Sequence, residues 1–207
     1  MSLAEIKIAL QDHLPEKALD QIAQLILTHK VNLTITRSRA TKLGDFKAPT
    51  NNRPPRLSIN GDLNQYAFLI TLLHEIAHLL VWNAHGIKYR RIKPHGTEWK
   101  AAFQGLMVPF LTEDIFPIDI LSVLINHMQN PKASSSADTA LQRALRKYDA
   151  GETLPILADL DQGDQFEFRG RRFEILKKNR SRFLCREFVS KKKYLIHSMI
   201  EIDKIEN

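Results

Sequence analysis

The sequence predicts an α+β protein, with helices packed on a small antiparallel sheet and a small β-rich module after them. Three observations carry that reading. Apolar residues recur at helical spacing in the first thirty residues and again from Phe116 to Met128. Val31 to Arg37 alternates apolar and polar residues, the period of a half-buried strand. From about Gln165 the same alternation returns and persists. The expected division is 1–129 for the main domain, 130–150 for a linker and short helix, and 151–207 for a basic β-rich module.

The elements follow in order. Leu14-Pro15 opens a helix, since proline is accepted in a first turn. Leu19, Ile22, Leu25 and Ile26 form its apolar stripe. In the strand that follows, Val31, Leu33 and Ile35 alternate with Asn32, Thr34 and Thr36. Gly44 marks a turn, Phe46-Lys47 continues a hairpin, and Pro49 to Pro55 is a polar loop. Arg56 to Asn60 resumes as a strand. Asp62 followed by Gln65 resembles a capping box that starts a long helix, and Gly86 suits its left-handed end. Thr97 is placed to cap a helix from about Glu98 to Met107. Phe116-Pro117 opens another, with Ile118, Leu121, Leu124 and Ile125 as its stripe. Asn130 to Ser136 reads as a linker and Ala137 to Tyr148 as a short helix. Phe166, Phe168, Phe173, Ile175, Phe183 to Phe188 and Tyr194 to Ile196 then mark three or four short strands.

Within the long apolar stretch from Ala67 to Trp82 lies His74-Glu75-Ile76-Ala77-His78. Residues four apart share one face of a helix, so both imidazoles can point at one metal ion. Glu75 stands about 100° round the helix from His74 and can reach a water on that ion. The pattern H-E-x-x-H thus supplies two metal ligands and a general base. The stretch is apolar almost all round, which implies burial. Buried imidazoles and a buried carboxyl are costly without partners, and a cation is such a partner.

Zinc used in catalysis needs a third protein ligand and one open position. A metzincin would place Gly at 81 and His at 84, where this chain has Val81 and Ala84. His85 is off that register. His95, in Lys93-Pro94-His95-Gly96-Thr97-Glu98-Trp99, is the favoured third ligand, because Gly96 permits close backbone approach. Glu98 is the alternative.

These residues resemble a known family. Thr71-Leu72-Leu73-His74-Glu75-Ile76-Ala77-His78, with His95-Gly96-Thr97-Glu98-Trp99, is similar to the SprT-like (Spartan-type) metalloprotease domain. Ala40-Thr41-Lys42-Leu43-Gly44, Arg56-Leu57-Ser58-Ile59-Asn60 and Leu63-Asn64 extend the likeness, which covers roughly residues 20–110. The resemblance implies a zincin-like fold and a zinc-dependent endopeptidase with one Zn²⁺ on His74, His78 and His95 and Glu75 as catalytic base. It also implies DNA repair, with DNA-bound or DNA-crosslinked proteins as substrates. Many members carry a four-cysteine zinc ribbon after the protease domain. Here Cys185 is the one cysteine, and a single thiolate cannot hold a tetrahedral structural zinc. A metal-free β module is expected in that place.

Composition sets further bounds. The chain has 207 residues and 43% hydrophobic residues, ordinary for a folded domain. No run of eighteen or more apolar residues occurs, so no membrane span is expected. The first fourteen residues lack the pattern of a secretory signal. One cysteine excludes an internal disulfide and suits a reducing compartment. A cytoplasmic location follows as the expectation, on the nucleoid in a bacterium. No serine-nucleophile elbow and no phosphate-cradling glycine loop appears, so acyl-serine and nucleotide chemistry find no support.

The formal charge is +7, and the segment from Gln165 to Asn207 holds 12 Lys and Arg against 6 Asp and Glu. Arg171, Arg172, Lys177, Lys178, Arg180 and Arg182 are dense there, interleaved with Phe173 and Phe183. Cations with aromatics suit phosphate contact and base stacking. Lys88, Arg90, Arg91 and Lys93 form a second run just before His95, uninterrupted by acid. A protein substrate and DNA are the expected partners. Two alternatives stay open: a housekeeping zinc peptidase with no nucleic-acid link, and a nucleic-acid-binding protein that keeps the site with little turnover.

Overall fold

The computed structural model describes residues 2–39, 41–50, 53–132, 138–151 and 154–204. The chain divides into two compact units, Met1–Ser135 and Ser136–Asn207. Residues 133–136 of the expected linker lie outside the described residues.

The first unit is built around one helix. Helices α1 (Leu3–Leu10) and α2 (Glu16–Thr28) come first, followed by strands β1 (Asn32–Thr36), β2 (Gly44–Lys47) and β3 (Arg56–Asn60). Helix α3 (Gln65–His85) is next, then α4 (Thr97–Met107) and α5 (Ile118–Gln129). Phe68, Leu69, Leu72, Leu73, Ile76, Ala77 and Leu79 of α3 are all buried, so the helix is covered on every side. That is why its apolar residues have no single stripe. Among the described residues it is the one helix long and apolar enough to cross a membrane. Yet 67% of its apolar window is buried inside the protein.

Several expectations need correction. The strand order is β1-β3-β2, with β2 antiparallel to β3 but β1 parallel to it. The sheet is therefore mixed, because β3 enters between its two predecessors instead of pairing beside β2 alone. Asn64 caps α3, its side chain accepting from the amides of Tyr66 and Ala67; Asp62 lies too early. Gly86 ends α3 at φ 53 and ψ −126, positive in φ but outside the left-handed helical well. Gly96 caps α4 through its backbone, and Thr97 is already helical. On α5 the core is formed by Ile120, Leu121, Leu124 and Met128, while Ile118 and Ile125 are 63% and 45% exposed.

The second unit holds α6 (Thr139–Arg146), capped by the Asp138 carboxylate on the Leu141 amide. Strands β4 (Gln165–Phe168), β5 (Arg171–Lys177), β6 (Arg182–Glu187), β7 (Lys193–His197) and β8 (Asp203–Lys204) follow. They form one antiparallel sheet of five strands in the order β7-β6-β5-β4-β8, so the sheet has one strand more than the alternation predicts. Phe166, Phe173, Ile175, Phe183 and Cys185 make its core. Cys185 is fully buried among them and serves as a small apolar residue, its thiol pushed up to about 11 by burial.

Arg171 ties this sheet together. It donates to Glu187 through Nε at 2.8 Å and lies 2.8 Å away through Nη2, with its guanidinium over the Phe173 and Tyr194 rings. Hydrogen bonds from Arg171 and then Ser190 hold the Glu187 carboxyl at about 2, below the ordinary 4.5. A depressed carboxyl stabilises the fold above its unfolded pKa, and that contribution disappears as pH falls to the folded value. Acid should therefore weaken this unit between about pH 4.5 and pH 2. Glu187→Gln should show a shallower loss of melting temperature across that window, and parallel slopes for both proteins would contradict the assignment.

Candidate metal centre

His74 and His78 stand one turn apart on α3 and present their Nε2 atoms on the same side. His95 comes from the turn before α4, in a left-handed backbone conformation at φ 57. A non-glycine residue adopts that conformation only under local constraint. The constraint is visible: the Gly96 amide donates to Lys93 O at 2.9 Å, and a Cβ on Gly96 would lie 2.9 Å from that same oxygen. The tight turn so formed aims the His95 ring back at α3.

The three rings converge. His95 Nε2 lies 3.1 Å from His74 Nε2 and 3.0 Å from His78 Nε2. One imidazole nitrogen offers either one hydrogen or one lone pair, so hydrogen bonding alone cannot satisfy both short contacts well. A cation can. Three imidazoles on a tetrahedral ion at ~2.0–2.1 Å stand ~3.3 Å apart, close to the separations here. Burial, then the neighbouring imidazoles, pull His74 down to about 3. Burial, then His95, pull His78 down to about 4. His95 is lowered by burial as well. All three are thus neutral near pH 7 and keep the lone pair a metal requires. Among the described residues, His74, His78 and His95 can hold one metal ion. Glu98, the alternative ligand, is exposed on α4 and outside the cluster, and His85 is exposed at the end of α3.

Neighbouring side chains fix the rings. Trp99, buried on α4, packs against His74, His95 and His78 at centroid distances of 4.5, 4.7 and 5.6 Å. Its indole N–H donates to His74 O at 3.3 Å. Phe46 of β2 stacks on the His78 ring at 6.2 Å, and the Tyr89 hydroxyl lies 3.5 Å from His78 Nδ1. A partner on Nδ1 leaves Nε2 as the metal-facing nitrogen. The aromatic pattern Trp99-x-x-x-Phe103 was the only sequence sign of this floor.

Glu75 is buried beside the cluster. Burial, then the charge of Asp45, push its carboxyl up to about 8, while the Phe46 amide donates to it and opposes that rise. A cation among the imidazoles would pull it down too. Gly44, expected as a turn, is instead the first residue of β2 and packs directly on Glu75. A Cβ there would lie 2.6 Å from Glu75 Oε1 and 2.8 Å from Thr71 Cγ2. The glycine lets the strand cross the carboxyl at contact distance.

The cleft over these groups has a volume of about 360 Å³. Its walls are Thr41 to Phe46, Ile70, Thr71, Tyr89, Phe103, His127 and Lys132, with His74, Glu75, His78 and His95 at its base. His127 and Lys132 carried no spacing signal, because α5 brings them in from far along the chain.

The cations fall into two groups. Lys88, Arg90 and Arg91 lie exposed on a 3-10 turn, Gly86–Arg91, with Lys93 just after it. None forms an ion pair among the described residues. In the second unit Arg171 is bound to Glu187. Lys178 donates to Leu160 O at 2.7 Å and lies 3.0 Å from Asp161 Oδ1. Arg172, Lys177, Arg180 and Arg182 are exposed. Phe173 and Phe183, expected to stack on bases, are buried in the core instead.

Part of the chain matches known proteins. Residues 59–119, from β3 to the start of α5, match the SprT-like family. Over this segment the chain is similar to the SprT-like family. Protein SprT of Cronobacter sakazakii is 41% identical over 58 residues, 27% of this chain and 32% of that protein. Protein SprT of Shigella boydii serotype 18 is 28% identical over 111 residues, 52% of this chain and 65% of its own. Protein SprT of Shigella dysenteriae serotype 1 gives the same figures. The chain thus spans between a third and two thirds of these relatives. No solved structure matches it.

Gly44→Ala should cost about 1–3 kcal/mol in denaturant unfolding, since α3 and β2 must part to admit a methyl. Unchanged stability would mean that β2 does not press on Glu75.

Proposed function

We propose that the protein is a zinc-dependent endopeptidase of the H-E-x-x-H type that acts on DNA-associated proteins. The observation that carries this reading is the convergence of three imidazole Nε2 atoms beside a buried carboxyl one position along the same helix. Three nitrogen donors with room for one further ligand suit catalytic zinc. His74, His78 and His95 would hold it, and zinc would supply a Lewis acid that makes water a nucleophile near neutral pH.

The remaining steps belong to the protein. Glu75 accepts the proton of the attacking water and returns it to the leaving amine. The Phe46 amide and the contact with Gly44 hold that carboxyl in one orientation. Trp99 and Phe46 keep the imidazoles from rotating. A peptide can lie along β2, which is an edge strand of its sheet and lines the cleft with Gly44, Asp45 and Phe46. An extended segment suits that edge better than a folded domain does.

The DNA part of the reading rests on the resemblance and on charge. Lys88, Arg90, Arg91 and Lys93 put exposed positive charge just before the third ligand in the chain, where a phosphate backbone would bring an attached protein to the cleft. The inward turn of Phe173 and Phe183 favours this run over the second unit. It also keeps a DNA-independent peptidase as the second reading.

One experiment separates them: cleavage of a DNA-binding protein with and without DNA, by the parent, Glu75→Gln and Arg90→Ala/Arg91→Ala. Glu75→Gln should retain metal and lose at least about a hundredfold in rate. The double variant should keep DNA-free cleavage of an unfolded protein but lose DNA stimulation, with a shallower salt dependence. Full activity of Glu75→Gln would end the general-base role. Cleavage indifferent to DNA would favour the second reading.

A further inference from the structure

We propose that the outer face of β5, β6 and β7 docks an acidic segment of a partner protein, whose aliphatic side chains cover Leu184 and Leu195. Along these strands the inward positions are Phe173, Ile175, Phe183 and Cys185, which fill the core. The outward positions are of another kind. Leu184 and Leu195 are cross-strand partners. Leu195 is 59% exposed, Leu184 is half-buried, and neither packs against the core cluster. A β-bulge after Ile175 sets Lys177 opposite Leu184, extending that row with a cation.

Cations border the leucines on three sides of this face, the fourth being the free edge of β7. Arg182 pairs in register with His197 beyond them, and Arg186 with Lys193 before them. The one acid among these positions, Glu174, is held by Arg186 at 2.6 Å. Lys177, Arg182 and Lys193 form no ion pair among the described residues. A row of aliphatic side chains inside a cationic border is complementary to a segment that alternates acids with aliphatic residues.

Other occupants fit less well. A second copy of the chain would oppose two formal charges of +7. Single-stranded nucleic acid would meet the cations but find no Phe, Tyr or Trp ring among these outward positions, since Phe173, Phe183 and Tyr194 pack in or against the core. Two leucines offer little apolar area, so the contact is weak and reversible.

The test uses the full chain and fluorescence anisotropy with three labelled probes. They are a short peptide of alternating glutamate and leucine, the same peptide with serine for leucine, and an oligothymidylate. The glutamate-leucine peptide should bind about tenfold or more tightly than its serine counterpart. Leu184→Ser/Leu195→Ser, and Leu195→Ser alone should the pair melt early, should weaken it similarly and leave the oligothymidylate unaffected. Lys177→Ala/Lys193→Ala should weaken it too, whereas Arg90→Ala/Arg91→Ala in the first unit should not. Equal binding of both peptides, or undiminished binding by the leucine variants, would overturn the proposal. So would a parallel loss of oligothymidylate binding, which would make this a nucleic-acid face.

Discussion

Three lone pairs pointing at one another constrain everything around them. His74 and His78 each bring Nε2 within 3.0–3.1 Å of His95 Nε2 at the base of a cleft, largely withdrawn from water. Neutral imidazoles at that separation repel unless a proton or a cation lies between them. Two short contacts onto one nitrogen exceed what its single hydrogen or single lone pair satisfies. The burial that lowers the ring pKa values also removes the alternative of protonation near pH 7. A divalent ion resolves both problems at once, and the neighbouring fold reads as a holder for it.

That holder has three parts with distinct physical jobs. Helix α3 is apolar around its whole circumference because it is enclosed, and enclosure makes the histidine spacing rigid. Trp99 lies against all three rings and bonds the backbone of α3, so α4 cannot shift without disturbing the donors. Strand β2 comes in over Glu75 at a distance that only glycine allows. The strained backbone of His95 is sustained by the turn from Lys93 to Gly96. Each part sacrifices some local preference for geometry at the centre, which is the usual mark of a functional site.

Much of this was legible in the residues. The four-residue spacing of His74 and His78 needs only helix geometry, and His95 followed from the glycine and the helix start after it. The strand read from Arg56 to Asn60 has the same limits in the structure. What could not be read was set by long-range packing. Gly44 looks like a turn because glycine usually marks one, and its close contact with Glu75 is invisible without α3 in place. The parallel pairing of β1 with β3 depends on where a later strand inserts. Ile118 and Ile125 have the same spacing as core residues, yet α5 is rotated so that Ile120 and Met128 face inward. Phe173 and Phe183 alternate with cations, and alternation itself sends them to the opposite face.

Glu75 then has the role its surroundings allow. A carboxyl buried beside nitrogens that could hold a cation, with a backbone amide to orient it, can exchange a proton with water. The central claim beneath that chemistry is one metal ion held by three imidazoles. X-ray absorption at the zinc edge, on protein loaded with zinc and then dialysed, tests it directly. The account predicts about one zinc per chain, with nitrogen and oxygen neighbours at ~2.0–2.1 Å and the outer-shell pattern of imidazole rings. Zinc removed by dialysis, or a sulfur neighbour at ~2.3 Å from Cys185, would contradict it.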